Sequence, residues 1–160
     1  MAARLNRTLI AFIVAVVVGF LLASVLHSQF VLARLSAVGA EIGMGDRLAM
    51  TLGDILGLGG SYGLIIGIAL AVGFLVAWIV KRCVKRLASV AYPLAGAAAI
   101  ALALFLMHLQ FEMTPVAGAR GPLGFLAQCL AGALAGFVFA QLRPKVPARG
   151  ADNSPIPATA

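Results

Sequence analysis

Charge is what this chain has least of. Among its 160 residues only five are Asp or Glu, and charged residues of both signs make up 11%, well under the roughly 25% of ordinary soluble domains. With 62% of the residues hydrophobic and a mean hydropathy of +1.07, there are too few polar side chains to cover a water-facing surface. A soluble fold is excluded. Cysteine is equally scarce, and two thiols cannot staple a disulfide scaffold of this size. The apolar richness also excludes an intrinsically disordered chain. These absences leave a membrane protein.

A helix that crosses the roughly 30 Å of bilayer hydrocarbon needs about 20 mostly apolar residues. Four such stretches are present, at about residues 8–32, 61–80, 90–109 and 123–142, and none has Lys, Arg, Asp or Glu in its interior. A transmembrane β-barrel would show segments of about ten residues alternating inward and outward character. The run Ile13-Val14-Ala15-Val16-Val17-Val18 has no such alternation. The expected fold is all-α, a polytopic integral membrane four-helix bundle. The first apolar run is longer than the usual h-region of a signal peptide, so it reads as an uncleaved anchor.

Cations near span ends are retained on the cytoplasmic side. Arg4 and Arg7 precede the first span, Lys81, Arg82, Lys85 and Arg86 follow the second, and Arg143, Lys145 and Arg149 follow the fourth. Nine of the twelve cations thus fall on one side, facing Arg34, Arg47 and Arg120 on the other. Both termini are expected in the cytoplasm, and the Ala, Gly and Leu richness fits a bacterial inner membrane. The net charge of +7 therefore calls for no nucleic acid. The cluster Lys81, Arg82, Lys85 and Arg86 sets topology first, and secondarily is placed to contact anionic lipid headgroups.

Helices in lipid associate by close van der Waals packing, which needs small residues at the contact. Every span offers a row at four-residue spacing: Ala11, Ala15, Gly19 and Ala23; Gly59, Gly63, Gly67 and Ala71; Ala91, Ala95, Ala99 and Ala103; and Gly124, Gln128, Gly132, Gly136 and Ala140. Residues four apart share a helix face. The glycine rows of spans two and four are expected to make the tightest contacts, with Gly19, Gly59, Gly63, Gly67, Gly132 and Gly136 as packing residues.

Between spans one and two, Leu35, Val38, Ile42, Leu48, Leu52, Ile55 and Leu56 recur at helical spacing with Glu41, Asp46, Arg47 and Asp54 between them. This predicts an interfacial amphipathic helix over about 35–58, broken near Gly43 and Gly45, with Asp46 as N-cap of its second piece. Pro122 suits the first turn of span four, where a missing N–H costs nothing. The tail, 143–160, holds Pro144, Pro147, Pro155 and Pro157 among small residues and is expected to be disordered.

Polar side chains within spans are costly, and each is a functional hypothesis by default. His27, His108, Glu112 and Gln128 lie toward the outer ends of spans one, three and four and are expected to converge into one polar cluster. The enzymatic classes lack their parts. Four-span lipoprotein signal peptidases are similar in size but need an intramembrane aspartate dyad, and no two carboxylates share a span here. Small four-helix multidrug exporters carry a Glu in their first span, which is also missing. There is no His-Glu-x-x-His, Cys-x-x-Cys, Gly-x-Ser-x-Gly or phosphate-binding glycine loop.

The sequence thus favours a non-enzymatic accessory or assembly subunit of a larger membrane complex, with the bilayer and a membrane-protein partner or a second copy as contacts, and no cofactor or metal. A small homo-oligomeric transporter or channel, with the polar cluster at its outer mouth, is the alternative. A haem- or metal-binding redox subunit, built on the two histidines, comes third.

Overall fold

The computed structural model describes residues 2–83, 90–111, 117–119 and 121–144. It is all-α: α1 spans Ala2–Ala37, α2 Met44–Leu58, α3 Tyr62–Cys83, α4 Ala91–Phe111 and α5 Pro122–Leu142, with a single 3₁₀ turn at Ala117–Ala119 before α5. Four of these helices, α1, α3, α4 and α5, are long and apolar enough to cross a membrane. The short α2, 15 residues long, lies between the first two spans. The chain is a four-span helical membrane protein.

Local sequence explains where the helices stop. At the end of α1, Gly39 takes φ +91°, a left-handed conformation that glycine adopts without steric cost. There Ala40 N–H reaches back to Leu35 O (3.1 Å) and Gly39 N–H to Ser36 O (3.1 Å), the two bonds that close a helix around a left-handed residue. Gly43 caps α2, and its N–H donates to Asp46 Oδ2 at 3.2 Å. Asp46 is therefore not the N-cap that its sequence position implied: it sits at the third helical position and reaches back to the cap, as an acidic residue there commonly does. Pro122 opens α5 as expected. Arg143 closes α5 in an extended conformation, because the following Pro144 disfavours helical geometry in the residue before it.

Spans follow one another around the bundle, up and down in turn. The most extensive contact is between α4 and α5, followed by α1 with α5 and α3 with α4; α1 also touches α3, while the diagonal pair α3 and α5 barely meets. The buried face of α1 is the row Ala11, Ala15, Gly19, Ala23, and His27 is the next residue along it. The buried face of α5 contains Gly124, Gln128, Gly132 and Gly136. Both rows are those the sequence marks.

The closest approach departs from expectation. A Cβ on Gly132 would strike the Gly96 carbonyl, one on Gly96 would strike that of Gly132, and one on Gly136 would strike that of Tyr92. Here α4 and α5 meet backbone to backbone. The span-two row is looser: a Cβ added at Gly63 would lie 3.5 Å from the Phe20 ring and one at Gly67 would lie 3.7 Å from Val16, ordinary van der Waals contact with side chains of α1. The tight glycine of α3 is Gly73, whose added Cβ would come 2.8 Å from Ala99 Cβ in α4. Helix rotation made the difference, since α3 turns Gly63 and Gly67 toward bulky side chains of α1 instead of toward a backbone, while Gly59, counted in the same row, lies before α3 as the C-cap of α2.

At the end of the bundle that carries Arg4, Arg7, Lys81, Arg82 and Arg143, the core is aromatic. Phe74 stacks on Phe139 (4.5 Å between centroids), and Tyr92 meets both edge-on, at 5.8 and 5.1 Å. Phe12 of α1 completes the group, edge-on to Phe74 at 6.2 Å.

Candidate functional site

At the opposite end the bundle buries a group of polar side chains, and α1 is its hub. The row that runs down α1 in small residues ends in His27, and the row on α5 is interrupted by Gln128. Where those two rows face each other, the chain has replaced close packing with hydrogen bonds. Gln128 is fully buried. Its Nε2 donates to Ala23 O of α1 (3.0 Å), and its Oε1 accepts from the Tyr62 hydroxyl of α3 (3.0 Å). One amide therefore ties α5 to α1 and to α3, the helix across the diagonal.

His27, 8% exposed, accepts at Nδ1 from the backbone N–H of Gly118 (3.2 Å) in the turn before α5. With Nδ1 as acceptor, a neutral ring carries its proton on Nε2. Only glycine fits at 118, because an added Cβ would come 2.7 Å from both the Cα and the carbonyl oxygen of His27. Gly124 is held similarly against the Gly118 carbonyl. The turn is thus clamped between α1 and α5.

A third bond goes to α2. Ser28 Oγ lies 2.6 Å from Asp54 Oδ2 and 3.0 Å from Ser24 O, so its one proton is shared between a carboxylate and a carbonyl. Gln29 Nε2 reaches Thr51 Oγ1 at the limit of hydrogen bonding, 3.5 Å. The consequence for α2 is an inverted surface. Arg47, Thr51 and Asp54 are on the half-buried side toward α1, and Met44, Leu48, Leu52 and Leu56, four residues apart, are all exposed. Ser24 Oγ is fully buried with no partner among the described residues.

Of the four residues expected to converge, His27 and Gln128 are both buried at this end of the bundle, each bonded to other groups: His27 to Gly118, and Gln128 to Ala23 and Tyr62. His108 is exposed on the far turn of α4, and Glu112 lies outside the described residues, as do Lys85, Arg86, Arg120 and the tail from Lys145 onward. Among the described residues no three His, Cys, Asp or Glu side chains group closely enough to hold a metal ion. Cys83 is exposed and Cys129 half-buried, both free.

Tyr62, Gly118, Gly96 and Gly73 were not singled out in the sequence, nor was the pairing of Ser28 with Asp54. A signal existed for Gly96, since Tyr92, Gly96, Ile100 and Leu104 form a second row on span three beside the alanine row. For Ser28 with Asp54 there was none, because the pairing depends on how α2 folds back along α1.

Chemically the cluster is well satisfied: each polar head except Ser24 has a partner, and every bond but that of Ser28 to the Ser24 carbonyl leaves α1 or α5 for a different element. That arrangement locks helices together. No protein-family model, curated protein or solved structure matches this chain.

Proposed function

We propose that this protein is a non-enzymatic accessory or assembly subunit of a larger membrane complex, seated in a bacterial inner membrane with both termini on the cytoplasmic side. The observation that carries the reading is that the interior is closed and its outside is not. Between α4 and α5 the backbones touch, and the buried polar groups are spent on one another. The lipid-facing side of α3 and α4, by contrast, carries a groove of about 880 Å³. Its floor is small, with Ala69 and Gly73 from α3 and Ala95, Ala99 and Ala103 from α4, and its rim is branched, with Ile68, Val72, Leu102 and Leu106.

In a bilayer such a floor allows close approach of another helix. A transmembrane helix of a partner subunit is the occupant this reading assigns to it. The orientation rests on Arg4, Arg7, Lys81, Arg82 and Arg143 sharing one end, and the apolar row Met44, Leu48, Leu52 and Leu56 suits α2 to lie in the opposite headgroup region.

The experiment is a mild-detergent purification of the tagged protein from its native membrane, with a photo-crosslinking residue at Ala98 in the groove and a second at Leu126 on the exposed side of α5. Stoichiometric recovery of another membrane subunit, crosslinked from position 98 and not from 126, is the expected result. Recovery of this chain alone, crosslinked to nothing from position 98, would overturn the reading and make ion or solute flux in liposomes the next measurement.

A further inference from the structure

The aromatic end of the bundle holds an arrangement that packing alone does not explain. Lys81 Nζ, from the last turn of α3, stands 4.8 Å from the centroid of the Tyr92 ring, and Arg143 Cζ, just past the end of α5, stands 5.2 Å from the same centroid. Two cations from different helices therefore lie no more than about 10 Å apart over one ring. Both are half-buried, so each has given up part of its hydration while facing a charge of its own sign. Burial pushes the Arg143 guanidinium below its ordinary pKa, which marks the cost of holding that charge there.

No carboxylate offsets it among the described residues. Glu41 and Asp46 flank the start of α2 and Asp54 lies within it, all beyond the far end of α3. Tyr62 to Lys81 is about 30 Å of helix at 1.5 Å per residue. Nearer at hand the charge is again positive: Tyr92 is the second residue of α4, whose first turn carries unpaired N–H groups and the positive end of the helix dipole. Arg82, the neighbouring cation, does something different and sits over the Trp78 ring at 4.8 Å.

We propose that Lys81 and Arg143, set against the Tyr92 ring, bind one phosphate-bearing anion, the headgroup of an anionic phospholipid in the leaflet at the cation-rich end. Tyr92 is buried, with Phe74 and Phe139 packed edge-on against it, so the ring is a fixed floor that orients both cations without neutralising either. The anion supplies the missing charge. The site differs from a diffuse basic loop in that Arg143, 62 positions beyond Lys81 in the chain, is as necessary as Lys81, whereas Arg82 is dispensable. The depth favours a lipid over a soluble ion, because all three residues sit at the end of a spanning helix, where headgroup phosphates lie.

The test is native mass spectrometry of the full chain released from nanodiscs of mixed phosphatidylglycerol and phosphatidylcholine. Thermal unfolding in detergent, with added phosphatidylglycerol, phosphatidylcholine or inorganic phosphate, runs in parallel. Wild type should retain one phosphatidylglycerol in preference to phosphatidylcholine and be stabilised by it. Each of K81Q and R143Q should weaken that retention about fivefold, the equivalent of about 1 kcal/mol per cation near the surface, and R82Q should leave it unchanged. Stabilisation by inorganic phosphate that K81Q abolishes would support the same site with a soluble source for the anion. Equal retention of the two lipids, or a loss in R82Q as large as in R143Q, would overturn the proposal. Because Gln keeps the length of these half-buried side chains, unfolding without lipid should be little changed, which separates lost binding from lost structure.

Discussion

Tyr62 donates its phenolic proton to Gln128 Oε1 at 3.0 Å, across the diagonal of a bundle in which α3 and α5 otherwise scarcely touch. The bond is made possible by Ala23, whose small side chain lies on the buried row of α1 and whose carbonyl takes the other end of the same amide. Three helices are therefore registered by one side chain.

Interhelical hydrogen bonds in membranes contribute about 0.6 kcal/mol on average and up to about 1.7. Tyr62→Phe should cost about 1 kcal/mol, since it leaves Gln128 Oε1 unpaired. Gln128→Ala should cost at least twice that, because it orphans two partners and opens a cavity. Reversible unfolding in bicelles, followed by the fluorescence of Trp78, measures both. Equal effects would show that the amide makes only one useful bond.

The two histidines should behave differently. His27→Ala leaves the Gly118 N–H buried without an acceptor, a loss of about 1–3 kcal/mol. His108 is exposed on α4, and His108→Ala should stay within about 0.5 kcal/mol. Thermal midpoints of the two variants in the same detergent decide it, and a larger drop for His108→Ala would contradict the placement of both rings.

Glycine rows of similar appearance should differ in tolerance. Gly132→Ala or Gly96→Ala drives a methyl group into a backbone carbonyl of the facing helix and must separate α4 from α5. Gly63→Ala and Gly67→Ala add a methyl at ordinary contact distance from Phe20 and Val16 and should be neutral or slightly stabilising, because alanine is the better helix former. Yield of folded, monodisperse protein separates the two pairs.

Helix α2 should open without the bundle. Its polar attachment to α1 runs through Ser28 and Asp54, so Ser28→Ala or Asp54→Asn should raise amide exchange across residues 44–57 while the global midpoint moves little. Loss of protection spread evenly over α3 and α5 would mean that α2 is part of the cooperative core.

Much of the architecture was legible because a bilayer imposes one length and one polarity on every span. Three of the four spans lie within a few residues of where apolar run lengths place them, whereas α1 runs well past its apolar stretch, back to Ala2 and on to Ala37. Of the amphipathic helix expected over about 35–58 only the second piece forms a helix of its own, Met44–Leu58, because residues 35–37 continue α1 and Gly39 ends it. Small-residue spacing also identified the buried faces of α1 and α5, and so placed His27 and Gln128 on facing rows. The polar cluster was legible only in part. His108 has the same kind of neighbours in sequence as His27, and only the rotation of α4 turns it outward. Asp46 resembled an N-cap, but the backbone enters the helix three residues earlier, at Gly43.

The sequence by itself determined that this is a four-span helical membrane protein, because hydrophobic length and the distribution of charge act locally, residue by residue, whatever the helices do next. Which glycines meet a backbone, which histidine is buried and which two cations share the Tyr92 ring were decided by tertiary structure alone. Those outcomes depend on the rotation of each helix about its axis and on which helices are neighbours. In a chain where Ala and Gly occur on every face, many rotations bury similar apolar area, and the choice among them falls to a few collisions and hydrogen bonds: Gly96 against Gly132, Gly118 against His27, and the amide of Gln128 between Ala23 and Tyr62.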